Sequence, residues 1–325
     1  MRSLHTPLGK LILALATVWI VFGSTYFAIS MTISTMPGLI SSGLRFAMAA
    51  AVIVLIMVAT GRASALKVSR GQFLTAFSGG AIVMGITIGA IVLAEEYVPS
   101  ALIAVTESLM PVWIVLFRMR SQDAVSRLTM LGVALGMSGV FMAVMGGGFS
   151  APAEEQLGVI VWLVIIVGTT VLWGYFAWKA PQLNMPRNSL VSTIYQMAGA
   201  AVVLPVWGAL SGEKIDVTAI STEAWMGWGY LILASATGYV AYTWLFSNVS
   251  ASLASSYSYA SPVIAIALGV LLGGEIFTFP MVVGMAAALT GVVLITRAER
   301  PQRVSATQTE ELRRFDELEQ TVASR

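Results

Sequence analysis

The sequence predicts an all-α integral membrane protein whose ten transmembrane helices form two inverted five-helix repeats. Three observations predict this fold: the scarcity of charge, the alternation of basic loops along the chain, and a similarity between its two halves. Hydrophobic residues make up 57% of the 325 residues and charged residues only 10%, whereas soluble domains carry roughly 25% charged residues. Several apolar runs reach about 18 residues, the length that crosses a bilayer core. A soluble globular domain is therefore excluded.

Hydropathy along the chain predicts ten spans. The first five are Leu8–Met31, Gly38–Thr60, Gly71–Leu93, Pro99–Phe117 and Leu128–Met145. The second five are Leu157–Trp178, Ser189–Leu210, Trp225–Phe246, Ser252–Leu272 and Phe277–Thr296. Residues 1–146 then form the first repeat, 147–156 a linker, 157–296 the second repeat, and 297–325 a cytoplasmic tail.

The positions of lysine and arginine support this division into spans. All but two of the 18 basic residues fall on one side of the membrane, while Lys214 lies in an opposite loop and Arg45 inside span 2. Those on the common side are Arg2, Lys10, Arg62, Lys67, Arg70, Arg118, Arg120, Arg127, Lys179, Arg187, Arg297, Arg300, Arg303, Arg313, Arg314 and Arg325. Basic loops stay in the cytoplasm, so both termini are predicted to be cytoplasmic.

The two halves align at an almost constant offset of 151 residues. Phe22-Gly23 aligns with Trp173-Gly174, and Pro111-Val112 with Pro262-Val263. After one inserted residue, the aligned pairs are Asp123 with Glu275, Gly132 with Gly284, and Gly139 with Gly291. Each repeat has an odd number of spans, so the second half is inverted relative to the first. Inverted repeats are typical of secondary transporters, whose substrate site lies near the midplane.

Several short motifs together resemble a known family. They are Trp19 with Phe22-Gly23-Ser24-Thr25-Tyr26, Gly43-Leu44-Arg45-Phe46, Pro111, Pro262 and Gly273-Gly274-Glu275. In this respect the chain resembles the EamA-like branch of the drug/metabolite transporter superfamily over about residues 8–296. The resemblance implies a central cavity between two bundles and export of amino acids, other metabolites or toxic compounds across a bacterial inner membrane. Asp123 departs from the glutamate common at its position, and Glu107 has no family role to inherit.

Two ionisable side chains are predicted at membrane depth. Arg45 and Glu107 each lie about 10–12 Å from the external end of their spans, at a rise of about 1.5 Å per residue. Such groups cost at least about 2.5–3.5 kcal/mol to insert. A structural ion pair, or an Arg45 that extends outward to helix-end carbonyls, would explain them, and so would a role in the cavity. At the aligned positions the second half carries Gln196 and Ser258.

Two prolines are candidate hinges. Pro111 and Pro262 each remove the hydrogen bond to the carbonyl four residues earlier, which frees the carbonyls of Glu107 and Ser258. Free carbonyls at membrane depth are tolerated against protein or a water-filled cavity. A static kink for packing is the alternative interpretation.

Deep aromatic and polar residues complete the predicted cavity, with core packing as the alternative for the aromatic ones. The full set of candidate cavity residues is Trp19, Tyr26, Arg45, Glu107, Trp173, Tyr175, Gln196, Tyr239, Tyr257 and Ser258.

The sequence therefore favours a secondary transporter that works by alternating access on a small-molecule substrate. A membrane-embedded enzyme or a non-transporting membrane protein is the alternative. There is no cysteine, the single histidine is His5, and no cluster typical of a catalytic or metal site is found, so no enzyme activity, metal or cofactor is predicted. The prediction includes no nucleic-acid partner. It is compatible with a monomer or a homodimer, and with proton coupling or facilitated diffusion.

Overall fold

The computed structural model describes residues 8–120, 126–150, 156–248, 257–274 and 278–298, and the regular elements within these ranges are helical. This confirms the predicted all-α class for the described residues. In chain order the helices are α1 Leu8–Ile33, α2 Gly38–Ala59, α3 Arg70–Gly79, α4 Gly85–Ala94, α5 Ser100–Glu107, α6 Met110–Arg120, α7 Arg127–Ser150, α8 Gln156–Lys179, α9 Ser189–Leu210, α10 Thr222–Asn248, α11 Tyr257–Leu271 and α12 Phe279–Ala298.

Among the described residues, six helical segments are long and apolar enough to cross a membrane. They are Leu8–Ile33, Gly38–Ala59, Arg70–Ala94, Ser100–Arg120, Gln156–Lys179 and Ser189–Leu210. Shorter apolar stretches lie in α7, α11 and α12. Large apolar side chains face outward on these helices: Leu210 is 83% exposed and Phe279 81%. This outer surface suits lipid, because lipid does not expel apolar side chains as water does.

The helix ends differ from the predicted spans at two places. Helix α7 continues to Ser150 and so includes the first residues of the predicted linker. Helix α11 is described only from Tyr257, so the first residues of predicted span 9 lie outside the described part of the chain. Asp123, Glu275 and the predicted tail beyond Ala298 also lie outside it.

Side chains fix where several helices begin. The Ser69 hydroxyl accepts a hydrogen bond from the Gln72 amide, and the Gln72 side chain accepts one from the Ser69 amide, which makes a capping box for α3. Helix α2 is capped from a distant loop, because the Glu213 carboxylate accepts hydrogen bonds from the amides of Leu39 and Ile40, at 3.0 and 2.9 Å. A carboxylate at a helix N-terminus also interacts favourably with the helix dipole.

Two predicted spans contain irregular turns. The segment Arg70–Ala94 contains a π-helical turn at Gly80–Met84. The segment Ser100–Arg120 is broken at Ser108 and Leu109, and α6 resumes at Met110, the residue before Pro111. Proline lacks an amide hydrogen and its ring clashes with the preceding turn, which explains the break. Pro205 and Pro262, by contrast, lie within α9 and α11.

Glycine contacts bring helix backbones together in reciprocal pairs. A Cβ atom on Gly132 of α7 would lie 2.8 Å from the Gly291 carbonyl of α12, and one on Gly291 would lie 2.6 Å from the Gly132 carbonyl. Gly139 and Gly284 show the same reciprocal contact, at 2.7 and 2.6 Å. Small residues permit such close approach. Helices α7 and α12 therefore pack backbone to backbone.

Replacing Gly139 with alanine should destabilise the protein by roughly 1–3 kcal/mol, the usual cost of overpacking. The new methyl group would meet the backbone of α12 at Gly284 and Ala288, so two helices would have to separate. Thermal unfolding in detergent followed by circular dichroism measures the effect.

Gly168→Ala is the matched control. Gly168 is also a helix-interior glycine, and a Cβ atom there would meet nothing within 4 Å. This variant should be unchanged or slightly more stable, because alanine favours the helix by up to about 1 kcal/mol. Equal midpoints for the two variants would contradict the tight packing of α7 on α12.

Candidate functional site

A cavity of about 200 Å³ lies between the helices and is lined by residues of α1, α2, α4, α5, α8, α10 and α11, with Met110 of α6. It includes the break between α5 and α6, through Ser108 and Met110. Ligand sites in membrane bundles form at such points, where irregular backbone meets a cavity. The cavity is therefore the candidate site.

Arg45 lies in the cavity wall and is 1% exposed. It lies two turns into α2, and its guanidinium carbon is 4.8 Å from the centre of the Phe46 ring. Among the described residues, its Nε and Nη1 atoms are buried and have no hydrogen-bond partner. Buried polar atoms are nearly always hydrogen-bonded. Two unsatisfied donors on a buried cation are therefore an exception that needs an explanation.

Glu107 lies in the same cavity wall, at the last residue of α5. Its carboxylate accepts a hydrogen bond of 3.3 Å from the Thr169 hydroxyl of α8. Within the described part of the chain, no ion pair joins it to Arg45. Of the three interpretations open for these residues, the structure disfavours the direct ion pair. It also disfavours an Arg45 that extends outward to helix-end carbonyls, because Arg45 is buried and its Nε and Nη1 atoms have no partner among the described residues.

Two further hydroxyls in the cavity wall have no partner. Thr87 of α4 is 1% exposed and Ser261 of α11 is 6% exposed. Each side-chain oxygen is buried without a hydrogen-bond partner among the described residues. Together with Arg45, they give the wall four unsatisfied polar atoms. A polar group entering the cavity would meet these atoms.

An aromatic cluster of Phe22, Tyr239, Tyr242 and Tyr257 forms one side of the cavity. The Phe22 ring centre is 5.3 Å from that of Tyr257 and 5.8 Å from that of Tyr239, in edge-to-face geometry. The Tyr242 and Tyr257 rings are 5.7 Å apart. Such pairs add about 0.5–1.5 kcal/mol beyond burial. The cluster is thus a preformed apolar surface edged with hydroxyls.

Six of the predicted cavity residues lie in this wall. They are Tyr26, Arg45, Glu107, Trp173, Tyr239 and Tyr257. The Tyr26 phenol lies within electrostatic range of the Glu107 carboxyl group. The candidate hinge Pro262 lines the cavity too, and Pro111 directly follows the lining residue Met110.

The other four predicted residues are not in the wall. Trp19 is partly buried and lies about one turn before Phe22 in α1. Tyr175 is 46% exposed and packs on Phe117 and Trp178, because two residues turn a helix about 200° from Trp173. Gln196 donates a hydrogen bond of 3.1 Å to the Ser192 hydroxyl. The side chain of Ser258 lies outside the described atoms.

Phe22, Thr87 and Tyr242 line the cavity but were not among the predicted cavity residues. Thr87 lies between Gly85 and Gly89 in an otherwise apolar segment. A single hydroxyl of this kind most often bonds back to its own helix, so the sequence offers little signal for it. Phe22 and Tyr242 were recognisable as deep aromatic residues. Only the packing of α1 on α10 shows that they face the cavity.

Comparison with known proteins matches this chain to one family of transporters and to transporter relatives. The family model of the EamA-like transporter family matches residues 160–297. The chain is 30% identical over 285 residues to the uncharacterized inner membrane transporter YedA of Escherichia coli, and the alignment covers 87% of this chain and 89% of YedA. The same protein from two further Escherichia coli strains matches equally.

A solved structure shares the fold. It is a crystal structure of another protein, which is 18% identical to this chain. The TM-score is 0.62, with 90% of this chain and 99% of that chain covered.

Replacing Arg45 with methionine should leave the free energy of unfolding unchanged or raise it by roughly 1–4 kcal/mol. Apolar replacement of a buried charge is often neutral or stabilising, and methionine has a similar length. Thermal unfolding in detergent measures this effect.

Lys214→Met serves as the control, because Lys214 is an exposed cation in a loop and its loss should not change the midpoint. A clear fall in the midpoint of the Arg45 variant would instead identify Arg45 as a structural lock.

Proposed function

Because the chain belongs to the EamA-like transporter family, we propose that it is a secondary transporter that exports small metabolites, amino acids or toxic compounds from the cytoplasm by alternating access. The family and the YedA relatives make it a multi-pass membrane transporter. The observation that supports export of small solutes by alternating access is the cavity, in which charged, hydroxyl and aromatic side chains meet between the helices. The names of the relatives support location in the bacterial inner membrane.

The glycine contacts support an inverted repeat of ten spans. Under the sequence alignment Gly132 corresponds to Gly284, and Gly139 to Gly291. A two-fold pseudosymmetry would therefore convert the contact of Gly132 with Gly291 into that of Gly284 with Gly139, and both contacts occur. Contacts in which residue i meets j and j meets i are the mark of a two-fold axis.

A second pair of contacts supports the same axis at the proposed hinges. A Cβ atom on Gly23 of α1 would lie 2.8 Å from the Ser261 carbonyl of α11, directly before Pro262. One on Gly174 of α8 would lie 3.4 Å from the Met110 carbonyl, directly before Pro111. The four residues correspond pairwise at the offset of 151. Both prolines are therefore held by equivalent glycine contacts.

These contacts favour Pro111 and Pro262 as hinges rather than static kinks. The chain is already broken at Ser108 and Leu109 before Pro111, so rotation there costs few helical hydrogen bonds. Both prolines adjoin the cavity, where a small rotation changes access. Discontinuous helices beside a midplane site are common in secondary transporters.

One end of the bundle is closed by bonds between the proposed repeats. The Trp228 indole donates a hydrogen bond of 2.8 Å to the Ser41 carbonyl, and Glu213 caps α2. In the predicted topology this is the external end. An outward-open state would have to break these bonds, so they would act as the external gate.

An enzyme is the alternative from another class. The matched family and the YedA relatives are transporters, which favours transport.

Counterflow in sealed liposomes tests the proposed function. Liposomes with the reconstituted full chain are loaded with unlabelled solute and exposed to radiolabelled phenylalanine, radiolabelled 3-phenylpropionate or ethidium. Transient accumulation of any of these solutes, absent from protein-free liposomes, is the expected result. Turnover of a solute that does not depend on a sealed membrane would instead support an enzyme.

The hinge proposal predicts slower exchange when either proline is replaced. Pro111→Ala and Pro262→Ala restore an amide donor to the freed carbonyl and straighten the helix. Each should lower the counterflow rate by roughly tenfold, which corresponds to about 1.4 kcal/mol in the barrier, while thermal stability is kept. Gly168→Ala is the control with unchanged rate. Full rates in both proline variants would show that the kinks are static.

The predicted topology can be tested directly because the chain has no cysteine. Single cysteines at two exposed loop positions, Arg62→Cys and Lys214→Cys, serve as reporters. In intact cells with a permeabilised outer membrane, an impermeant maleimide should label the variant at 214 and not the variant at 62. Disruption of the inner membrane should then expose both. The reverse pattern would overturn the orientation with cytoplasmic termini.

A further inference from the structure

We propose that the transported solute carries a carboxylate and that Arg45 binds this group in the cavity. This inference rests on the proposed transport function and narrows its substrate class to organic anions and zwitterions with a small apolar body. It excludes cationic compounds, which the family resemblance alone would admit.

The guanidinium of Arg45 is the main reason. It is buried in the cavity wall, and its Nε and Nη1 donors have no partner among the described residues. A buried charge is normally paired, because leaving it unpaired is costly. A carboxylate binds a guanidinium through two parallel N–H donors, which are Nη2 together with either Nε or Nη1. An entering carboxylate would supply the missing charge and an acceptor for one of the two unsatisfied donors.

The carboxyl group of Glu107, which lines the same cavity, does not supply the counter-charge for Arg45. Glu107 is hydrogen-bonded to Thr169 on α8 rather than paired with Arg45. The neighbours of the guanidinium include the phenyl ring of Phe46 and, within electrostatic range, the phenol of Tyr239, and neither carries a negative charge at neutral pH. The counter-charge is therefore expected from the solute.

The unsatisfied hydroxyls of Thr87 and Ser261 extend the polar side of the site. They come from α4 and α11, whereas Arg45 comes from α2, so three helices converge on the cavity. A hydroxyl can donate to a carboxylate oxygen or accept from an amine or hydroxyl of the solute. Unsatisfied polar groups from three helices in one cavity are the arrangement expected of a binding site, rather than of one side chain that happens to lack a partner.

The aromatic cluster would bind the other end of the solute. The rings of Phe22 and Tyr257 present edge-to-face surfaces in the cavity. The volume of about 200 Å³ is below the roughly 300–1,000 Å³ of sites for drug-sized ligands. The site thus suits a small solute with one anionic end and one apolar or aromatic end.

Binding of three isosteric probes tests this proposal. The purified full chain in nanodiscs is titrated with 3-phenylpropionate, 3-phenylpropionamide and 3-phenylpropylammonium at one pH, with binding followed by calorimetry. The carboxylate should bind at least tenfold more tightly than the amide, and the ammonium should not bind measurably. Tighter binding of the ammonium or the amide, or no binding of the carboxylate, would overturn the proposal.

Variants at Arg45 test whether this residue causes the preference for the carboxylate over the amide. Arg45→Gln should remove the tenfold preference for the carboxylate over the amide. Arg45→Lys, which keeps the charge without the fork, should retain part of it. Lys214→Gln, which removes an exposed cation elsewhere, should bind like the unmodified protein. An unchanged tenfold preference for the carboxylate in the Arg45→Gln variant would exclude Arg45 as the binding group. If a variant does not fold, the titration of the unmodified protein with the three probes still tests the proposal.

The counterflow experiment separates this inference from the function on which it rests. Counterflow of 3-phenylpropionate or phenylalanine, without counterflow of ethidium, supports both. Counterflow of ethidium alone would establish transport and overturn the carboxylate proposal. Calorimetric binding of 3-phenylpropionate without counterflow of any solute would support the site and contradict transport.

Discussion

The close contact of helix backbones at glycine is the constraint on which the rest of this structure depends. In lipid, helices gain little from burying apolar side chains against one another, so close packing must hold them together. Gly139 on Gly284 and Gly23 on the backbone beside Ser261 achieve this. The contact at Gly23 lies directly before Pro262. If Pro262 is a hinge as proposed, the packing that joins these helices also fixes the point at which one of them bends.

Burial of Arg45 sets the energetics of the cavity. A charged group at membrane depth costs several kcal/mol unless it is paired, and no carboxylate of the described residues pairs with it. If Arg45 binds the solute as proposed, the protein gives up stability for binding, a trade common at functional sites. Glu107 lines the same cavity but bonds to Thr169 rather than to Arg45, so an anion bound at Arg45 would give the guanidinium a counter-charge that it lacks in the empty cavity. In the proposed alternating-access mechanism, this pairing would favour the loaded form in any state that closes the cavity to water.

The sequence predicted the helical class and much of the cavity because both depend on simple physical preferences. Buried charge is expensive, so Arg45 and Glu107 could be singled out from composition and depth alone. Tyr175 was misplaced because a pattern of aromatic residues does not show which side of α8 faces inward. The π-turn at Gly80–Met84 and the role of Thr87 follow from how helices pack, and no local motif encodes either. Helix α7 continues through Gly146–Ser150, so the three glycines do not by themselves end it.

In the proposed alternating-access mechanism, the asymmetry between Arg45 and Gln196 favours a single site that is reached from both sides of the membrane. The two residues correspond under the repeat, yet Arg45 lines the cavity while Gln196 bonds to Ser192 within α9. The backbone of Gln196 also packs tightly against Gly80 at the π-turn, so this helix is held against α3 rather than opened toward the cavity. If the binding groups were duplicated, an inverted pair of halves would offer two sites of equal depth. With the cation on one half only, the two proposed repeats would exchange conformations around a single solute bound at Arg45, and only the side on which the cavity opens would change.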